Sequence, residues 1–507
     1  MRSTGSIRSS FWANRSGFSF MRATSGLFMP KRATMTERGG WFGAALVLVA
    51  VLTVLRLAVL ALQPIDLFTD EAQYWLWGQS LDFGYYSKPP LIAWVIRVSV
   101  ALGASDAPFW VRAPAPVLHG AAALILGAVA ARLGGRRAAL WTAAAYATLP
   151  FVSFGAHVIS TDTVMAPFYA GALALVLRTA ATRRATDGVA AGLVFGLAFL
   201  AKYAALYLVP GLVLAAVLSP AFRPGWRGAA WMAAAFALMA APNLVWNLNH
   251  GMVTLAHTLE NADWAPGGPS LSLAALAMFL ASQVLVFGPL GALMLLGAPF
   301  RRLTRAEWAL LALALPPLLA VSVQALLAGA NANWAVTAYF AATPLVVMLA
   351  GRVWNSASLA LNALVGVALM VLALAAPWPS IGERPVLERV LGRAYLSRQI
   401  LALAKAEGLP VLASDRGILA DLFYTGAGSG VTVWAPRRAG RAQNYYELTY
   451  PHPVAPAGPT LYIAATPPRC EGAVLQPLVT FDTTGGAYAR ASFAAYLLAP
   501  GCADVAD

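Results

Sequence analysis

The chain has 507 residues, of which 59% are apolar and 11% are charged. This charged share is about half that of a soluble globular protein, so a soluble fold of this size is excluded. Disorder, a collagen-like repeat and a disulfide scaffold are excluded as well, because the chain is apolar, has no short period and holds two cysteines. The composition predicts a polytopic α-helical membrane protein.

The net charge is +14, from 35 Lys and Arg against 21 Asp and Glu. In a soluble domain this excess would suggest nucleic-acid binding. Here most of it lies in short arginine-bearing loops between apolar segments, which is a signal of membrane topology. We therefore expect no nucleic-acid partner.

Residues 1–38 are polar and basic, and they lack the apolar core of a signal peptide. They are either a basic cytoplasmic tail or an over-extended start, because Met35 stands just before the first apolar segment. We favour the second interpretation. Residues 39–376 are the predicted membrane domain.

From residue 41 onward, apolar segments of spanning length recur. Gly192 and Gly196 lie four residues apart in one of them and would allow close helix packing. We predict about eleven transmembrane helices, near residues 41–62, 109–131, 138–157, 163–180, 188–201, 203–219, 229–248, 272–299, 308–328, 334–350 and 356–376.

The basic residues of the loops predict the orientation. With the N-terminus inside, the inner loops carry Arg132, Arg136, Arg137, Arg178, Arg183, Arg184, Arg223, Arg227, Arg301, Arg302, Arg305 and Arg352. The opposite loops carry Lys88, Arg97, Arg112 and Lys202. Because short inner loops are enriched in Lys and Arg, this bias predicts a cytoplasmic N-terminus and a C-terminus on the outer side.

The first outer loop, 63–108, is too long for a simple turn and too aromatic and apolar to be disordered. It contains the adjacent acids Asp70 and Glu71, which could cap a helix and favour its first turn. A carboxylate kept at the membrane surface, in a chain that avoids charge, is also a functional candidate. Residues 91–103 are apolar but too short to span, which is typical of an interfacial helix.

Aromatic side chains surround these acids, including Tyr74, Tyr85 and Tyr86. An interfacial belt explains Tyr and Trp at this depth. Aromatic faces also stack on sugar rings, and the sequence leaves both interpretations open.

The predicted topology places further polar residues on the same outer side. Asp162, in Ser160-Thr161-Asp162, could cap the following helix. It shares the outer face with Asp70 and Glu71, and also with Lys202, His250, His257, Glu260, Asn331 and Asn333. No inner loop offers a comparable set, so the functional site is predicted on the outer side.

Lys88 precedes Pro89-Pro90 and would place a positive charge on a stiff turn, which suits a lipid-linked phosphate. A snorkelling lysine is the alternative, and Lys202 has the same two interpretations. His250 is either a metal ligand or a residue at a helix C-terminus, and the second is the more common case.

Residues 377–507 combine short β-like runs with helix-like segments and Pro/Gly turns, which predicts a small α/β domain on the outer side. Both cysteines, Cys470 and Cys502, fall in it. An oxidising compartment permits a disulfide between them, and two buried thiols are the alternative.

The sequence has no P-loop, no Rossmann fingerprint, no zinc spacing and no nucleophile elbow. The outer compartment of a bacterium lacks nucleotide-activated substrates. A group transferred there therefore needs a donor attached to a lipid phosphate.

Several motifs resemble those of the polytopic GT-C glycosyltransferases. They are Asp70-Glu71, Tyr85-Tyr86-Ser87-Lys88-Pro89-Pro90, Ser160-Thr161-Asp162, the segment Phe199 to Tyr203, the segment Trp246 to Gly251, and Asn333-Trp334. Residues 41–350 are most similar to bacterial relatives of protein O-mannosyltransferases. That branch includes rhizobial lipopolysaccharide-core galacturonosyltransferases and the aminoarabinose transferase that acts on lipid A.

The resemblance implies a GT-C-like fold in the bacterial inner membrane, with transfer of a sugar from a polyprenyl phosphate on the periplasmic side. The acceptor would be lipid A, the lipopolysaccharide core, another glycan or a protein hydroxyl. Asp70 then resembles the catalytic carboxylate, Glu71 its companion and Asp162 a second essential acid. Lys88 and Lys202 become donor-phosphate contacts. The residues implied as sugar or acceptor contacts are Tyr74, Tyr85, Tyr86, His250 and Asn333.

The implied reaction is an inverting displacement with Asp70 as general base. Lys88, together with Lys202 or a divalent cation, would stabilise the leaving phosphate. The candidate metal ligands are Asp70, Asp162 and His250, although Ser87 stands where the aminoarabinose branch has an acid.

Two other functions compete with the enzyme. One is a transporter or flippase of lipid-linked sugars, although the chain lacks the internal repeat that many transporters have. The other is a non-catalytic envelope assembly protein.

Overall fold

A computed structural model describes residues 35–261, 271–382, 384–438, 440–470, 473–483, 486–500 and 502. Most of the predicted tail 1–38 lies outside the described residues, which begin at Met35. The chain divides into two units, Met1–Gly39 and Gly40–Asp507. In the first unit the described residues begin helix α1, and everything below concerns the second unit.

The described residues from Met35 to Ala375 are mostly helical. In chain order the helices are α1 (Met35–Leu62), α2 (Thr69–Gln79), α3 (Leu91–Gly103), α4 (Pro108–Arg112), α5 (Pro114–Thr148), α6 (Pro150–Gly155), α7 (Thr161–Thr182), α8 (Ala185–Ala201), α9 (Leu208–Leu218), α10 (Gly225–Asn249), α11 (Val253–Asn261), α12 (Leu273–Phe287), α13 (Pro289–Gly297), α14 (Arg305–Ala328), α15 (Thr337–Leu349) and α16 (Arg352–Ala375).

Six helical segments of the described chain are long and apolar enough to cross a membrane. They are Gly40–Leu62, Pro108–Thr148, Thr161–Thr182, Gly225–Asn249, Arg305–Ala328 and Arg352–Ala375. The pair Leu273–Phe287 and Pro289–Phe300, bent by 114°, makes a seventh if it is one broken span. The chain is therefore a multi-pass helical membrane protein.

The predicted number of about eleven spans is larger than this. One reason is that α8, α15 and the segment Tyr203–Leu218 are apolar but shorter than 18 residues. A second reason is that α5 contains two helices. They meet at Gly135, whose φ of 83° suits glycine. Gly127 lies against Ala139 and Ala143, so the two halves fold back on each other as a hairpin.

Helices α8 and α10 pack closely because small residues line their contact. A side chain at Gly192 would overlap the backbone of Met232, and one at Gly196 would overlap Met239. The expected close packing at this glycine pair is confirmed.

The segment after α16 forms a mixed sheet with flanking helices. Its strands are β1 (Ser380–Ile381), β2 (Arg384–Pro385), β3 (Val411–Ala413), β4 (Val433–Trp434), β5 (Thr460–Ala464), β6 (Arg469–Cys470), β7 (Ala473–Val474), β8 (Val479–Thr480) and β9 (Ala494–Leu498). Its helices are α17 (Arg393–Glu407), α18 (Arg416–Thr425) and α19 (Tyr445–Thr449).

Five of these strands build one sheet in the order β4-β3-β5-β9-β8. Strand β3 runs parallel to both β4 and β5, whereas β9 is antiparallel to β5 and β8. Cys470 and Cys502 form a disulfide bond, with their Cα atoms 5.4 Å apart. Helix α18 packs against α2, so this α/β region touches the first outer loop.

Candidate functional site

The site is built around the first turn of α2. Ser, Thr, Asp and Glu favour helix starts because they accept hydrogen bonds from unpaired N–H groups. Here Glu71, in the first turn, accepts one from the Phe68 N–H at 2.9 Å. The turn holds Asp70 and Glu71 side by side in sequence, but their environments differ.

Glu71 is 2% exposed and is fully occupied by structural contacts. Its two oxygens accept from Arg112 Nε at 2.9 Å and from Arg112 Nη2 at 2.7 Å. One of them also accepts from the Ile159 N–H at 2.9 Å. A carboxylate held by so many donors has no free position for a proton. These contacts position α2, and the role of Glu71 as a catalytic companion of Asp70 stays a prediction.

Asp70 is accessible, since its side chain is 45% exposed. Its Oδ1 accepts from Arg416 Nη2 at 2.6 Å, and Arg416 also donates to Gln73 Oε1 from Nε and Nη2. Among the described residues, Oδ2 of Asp70 has no such partner. Burial by itself lowers the pKa of Arg416, but the neighbouring Asp70 outweighs this effect and the pKa is raised.

Sequence reasoning did not select Arg416. One signal was available, because Arg416 follows Asp415, which caps α18 by accepting from the Ile418 N–H at 2.8 Å. A cation in the first turn of a helix opposes the helix dipole. A carboxylate partner from another element would offset this unfavourable interaction.

Asp162 lies in the first turn of α7, whose cap is Ser160. Its carboxylate accepts from Lys202 Nζ at 2.7 and 2.8 Å and from Asn333 Nδ2 at 2.8 Å. Lys202 sits at the break that follows α8, and Asn333 sits in the short 3₁₀ helix before α15. Three separate elements therefore converge on one carboxylate.

Lys88 is half-buried in the loop between α2 and α3. Burial lowers its pKa, and the positive charge of Lys202 lowers it further, while Asp70 and Asp162 oppose the change. The charges of Lys202, Asp70 and Asp162 therefore all act on the Lys88 ammonium group.

A cavity of about 790 Å³ joins the two acids, Asp70 and Asp162. Asp70, Tyr74, Asp162 and Asn333 line one part of it. Burial, then the nearby Asp70, raise the pKa of Tyr74 well above its usual value, so its hydroxyl remains a donor. The opposite wall is apolar and comes from α6, α12 and α16, with Phe151, Phe154, Leu285, Val286, Leu369 and Leu372.

Two histidines that sequence reasoning did not select also line this cavity, His119 and His157. Each has a buried Nε2 without a hydrogen-bond partner among the described residues. His119 Nε2 lies so close to Gly155 that a side chain there would clash with it. No sequence motif marks either residue, because both lie within apolar segments.

Tyr85, Tyr86 and His250 line a second cavity, of about 840 Å³, instead. The Tyr85 hydroxyl donates to the carbonyls of Trp77 and Ser80, and its ring stacks on Trp77 at 4.7 Å. These contacts hold the loop, and the sugar contact expected of Tyr85 stays a prediction.

Tyr86 and His250 are also engaged by the protein. Tyr86 packs on His257 with ring centroids 4.9 Å apart, and its hydroxyl donates to the Ala442 carbonyl at 3.0 Å. His250 follows α10, stacks on Trp246 at 4.1 Å and has Nδ1 2.7 Å from the Trp246 carbonyl. This is the contact of a residue at a helix C-terminus, the alternative that the sequence left open.

The predicted metal-ligand set of Asp70, Asp162 and His250 is wrong as a set. His250 lines the second cavity, whereas the two acids line the first. In the described parts of the chain, no three His, Cys, Asp or Glu side chains are grouped closely enough to hold a metal ion. Asp162 is also already paired with Lys202.

Comparison with known proteins identifies the family to which this chain is similar. The family model for dolichyl-phosphate-mannose-protein mannosyltransferase matches residues 87–246. The lipid A galacturonosyltransferase RgtD of Rhizobium johnstonii is 37% identical over 482 residues, which cover 92% of this chain and 99% of that protein.

The fold has solved counterparts. The crystal structure of ArnT from Cupriavidus metallidurans bound to undecaprenyl phosphate matches with a TM-score of 0.61 and 15% identity. The apo form of the same protein matches with a TM-score of 0.59. Each match covers 92% of this chain and 99% of the other. At this identity the likeness concerns the fold, which is that of a GT-C glycosyltransferase.

Proposed function

This chain belongs to the membrane glycosyltransferase family that includes RgtD, and from that premise we propose that it transfers a galacturonosyl group from a polyprenyl phosphate to lipid A. The glycosyltransferase activity towards an envelope acceptor follows from the family. The sugar and the lipid A acceptor are taken from the name of the relative. The donor class is supported by ArnT, whose fold accommodates undecaprenyl phosphate.

One observation carries the proposal. Asp70 and Asp162, together with Tyr74 and Asn333, line a cavity whose other wall is apolar. An isoprenoid chain needs an apolar surface, and its phosphate needs cations at the membrane surface. Lys202 is ion-paired with Asp162, which lines this cavity, and Lys88 interacts electrostatically with Asp70 and Asp162. The site therefore suits a lipid-phosphate sugar better than a nucleotide sugar.

The reaction proposed is a direct displacement at the anomeric carbon. Oδ2 of Asp70 accepts the proton of the acceptor hydroxyl as its oxygen attacks that carbon. The bond between the anomeric carbon and the phosphate oxygen breaks, and its electron pair stays on the phosphate. The Lys88 ammonium stabilises the charge that develops there. Because the displacement is direct, the configuration at the anomeric carbon of the sugar is inverted.

Asp162, Lys202 and Asn333 form the supporting cluster on the far side of the site. Lys202 donates to both oxygens of Asp162, so the two side chains hold each other in place. The Lys88 ammonium is then the cation that contacts the donor phosphate. Tyr74 contributes a protonated hydroxyl, suited to a sugar oxygen.

The membrane arrangement is part of the proposal. About eleven crossing segments are proposed, with an N-terminus in the cytoplasm, the site on the periplasmic side and 377–507 as a periplasmic α/β domain that follows the membrane domain 39–376. The helical hairpin at Gly135 supports two crossings where one helix is assigned. The arginine-rich inner loops support the orientation.

The experiment is a transfer assay with the purified full-length protein, polyprenyl-phosphate galacturonic acid and lipid A. We expect wild-type protein to form galacturonosylated lipid A, Asp70→Asn to form none, and Glu407→Gln to keep the wild-type rate. Glu407 is the matched control because it is an exposed acid at the end of α17. Full activity in Asp70→Asn would remove Asp70 as the base.

A neutral donor tests the galacturonosyl assignment, and sealed proteoliposomes test the flippase alternative. If the enzyme uses a polyprenyl-phosphate hexose equally well, the galacturonosyl assignment fails but the transferase remains. In sealed proteoliposomes, donor that crosses the bilayer without changing its carrier would identify a flippase instead.

A further inference from the structure

The guanidinium of Arg416 is fixed on one face of α2. Asp70 and Gln73 lie three residues apart, so their side chains project from the same side of the helix. Nη2 of Arg416 donates to Asp70 Oδ1 at 2.6 Å, and Nε and Nη2 donate to Gln73 Oε1 at 3.1 and 2.9 Å. Two acceptors on one helix leave the planar guanidinium little freedom to turn.

The position of Arg416 is not explained by the helix that carries it. Arg416 is the first residue of α18, where a cation opposes the helix dipole. The same helix is clamped at its other end, because the Tyr424 hydroxyl donates to the Asp106 carbonyl and its ring packs on Trp75 at 5.0 Å. Contacts at both ends of α18 therefore hold it against α2.

We propose that Arg416 is a positioning residue of the active site, which holds Oδ1 of Asp70 and leaves Oδ2 free to take the proton of the acceptor. This inference rests on the proposed role of Asp70 as base. A charge-assisted hydrogen bond to one oxygen fixes the direction of the other.

The consequence is that the α/β region takes part in catalysis. Arg416 belongs to the region after the membrane helices, yet its guanidinium touches a carboxylate of the first outer loop. Its charge also acts on Lys88 and His257. Arg416 therefore acts on the rate of transfer, while Val386, Leu387 and Val390 of the same region also line the cavity.

The test compares Arg416→Ala with Arg398→Ala in the full-length protein. Arg398 is the matched control because it is an exposed arginine of α17 in the same region. We expect kcat of Arg416→Ala to fall by about tenfold or more, because a displaced base loses its alignment with the acceptor. KM for the donor stays near the wild-type value, and Arg398→Ala keeps both constants.

A chemical rescue separates positioning from structure. The Arg416 side chain is 43% exposed, so the gap left by alanine is open to solvent. Millimolar guanidinium in the assay should restore part of the kcat of Arg416→Ala and leave Arg398→Ala unchanged. Arg416→Lys should retain intermediate activity, because lysine supplies the charge without the two-pronged contact.

An unchanged kcat in Arg416→Ala overturns the inference. So does a fall that is accompanied by a lower melting temperature and not restored by guanidinium. If Arg416→Ala does not fold, Gln73→Leu decides, because it frees the guanidinium and keeps every charge: a lower kcat at constant donor KM supports the inference, and an unchanged kcat overturns it.

Asp70→Asn is measured in the same series. If it remains active, the proposed base is wrong. If it is inactive while Arg416→Ala behaves as wild type, the proposed function stands and only this inference fails.

Discussion

Glu71 and Arg112 form an ion pair that is almost completely buried, with side chains 2% and 1% exposed. Arg112 also donates to the carbonyls of Ile65 at 3.1 Å and Asp66 at 2.7 Å. Glu71 in turn accepts from the Ile159 N–H before α7. This one pair therefore joins the end of the first span, the start of α2, helix α4 and the approach to α7, and it fixes the backbone next to Asp70.

We expect Arg112→Met to destabilise the fold by about 3–5 kcal/mol, because it leaves the Glu71 carboxylate buried without its cation. The measurement is reversible unfolding in mixed micelles. The double variant Arg112→Met/Glu71→Met should recover part of the loss, since no charge is then left unpaired. Arg97→Met, at an exposed arginine of α3, is the control and should change stability by less than about 0.5 kcal/mol. A wild-type stability of Arg112→Met would contradict this role.

The glycine contact between α8 and α10 gives a second stability prediction. Gly192→Leu places a side chain against the backbone of Met232, which cannot move away as a flexible side chain could. We expect a loss of about 1–3 kcal/mol or more, the range for overpacked cores. Gly297→Ala is the control, because a Cβ there meets nothing within 4 Å. Equal melting temperatures for the two variants would show that this contact does not matter.

Much of the fold could be predicted because membrane spans are long apolar runs. Segments such as 41–62, 163–180 and 356–376 coincide with α1, α7 and α16. The glycine pair at 192 and 196 identified a helix contact correctly. Helix length was harder to predict, since the predicted span 138–157 is broken at Leu149, where α5 ends and α6 begins. The break at Gly135, in contrast, falls in the predicted loop between 109–131 and 138–157.

The site could be predicted where charge is rare. Asp162, Lys202 and Asn333 were expected on one face, and they are in hydrogen-bond contact. The sequence could not distinguish Asp70 from Glu71, because adjacent acids differ here only in what surrounds them. Arg416 was missed because a surface arginine more than 300 residues away carries no local signal beyond its place at a helix start.

The cluster at Asp162 yields a prediction about activity. We expect Lys202→Met to lower kcat/KM by about 100-fold, because Asp162 loses the cation that holds both its oxygens. Asn333→Leu removes one neutral donor and should cost about tenfold. The matched control is Asn331→Leu, an exposed asparagine two residues away. Initial rates with the donor decide, and equal rates in Asn331→Leu and Asn333→Leu would contradict the role of Asn333.

The pH dependence of transfer should report the protonation of Lys88. Burial and the charge of Lys202 lower the pKa of Lys88 below its usual value of 10.5. The ammonium form is favoured below that lowered pKa and is lost as the pH rises through it, so activity should fall on the alkaline side earlier than a free lysine would predict. The measurement is kcat/KM against pH.

Lys88→Arg tests the assignment directly, because arginine stays protonated across this range. The alkaline fall should move to higher pH in Lys88→Arg even if the maximal rate is lower. The charges of Asp70 and Asp162 raise the pKa of Lys88 and so oppose the effect of burial. Asp162→Asn should therefore move the alkaline fall in activity to lower pH, measured on the residual activity of this variant. Lys405→Arg, at an exposed lysine of α17, should leave the profile unchanged. An alkaline fall at the same pH in wild type and Lys88→Arg would assign it to another group.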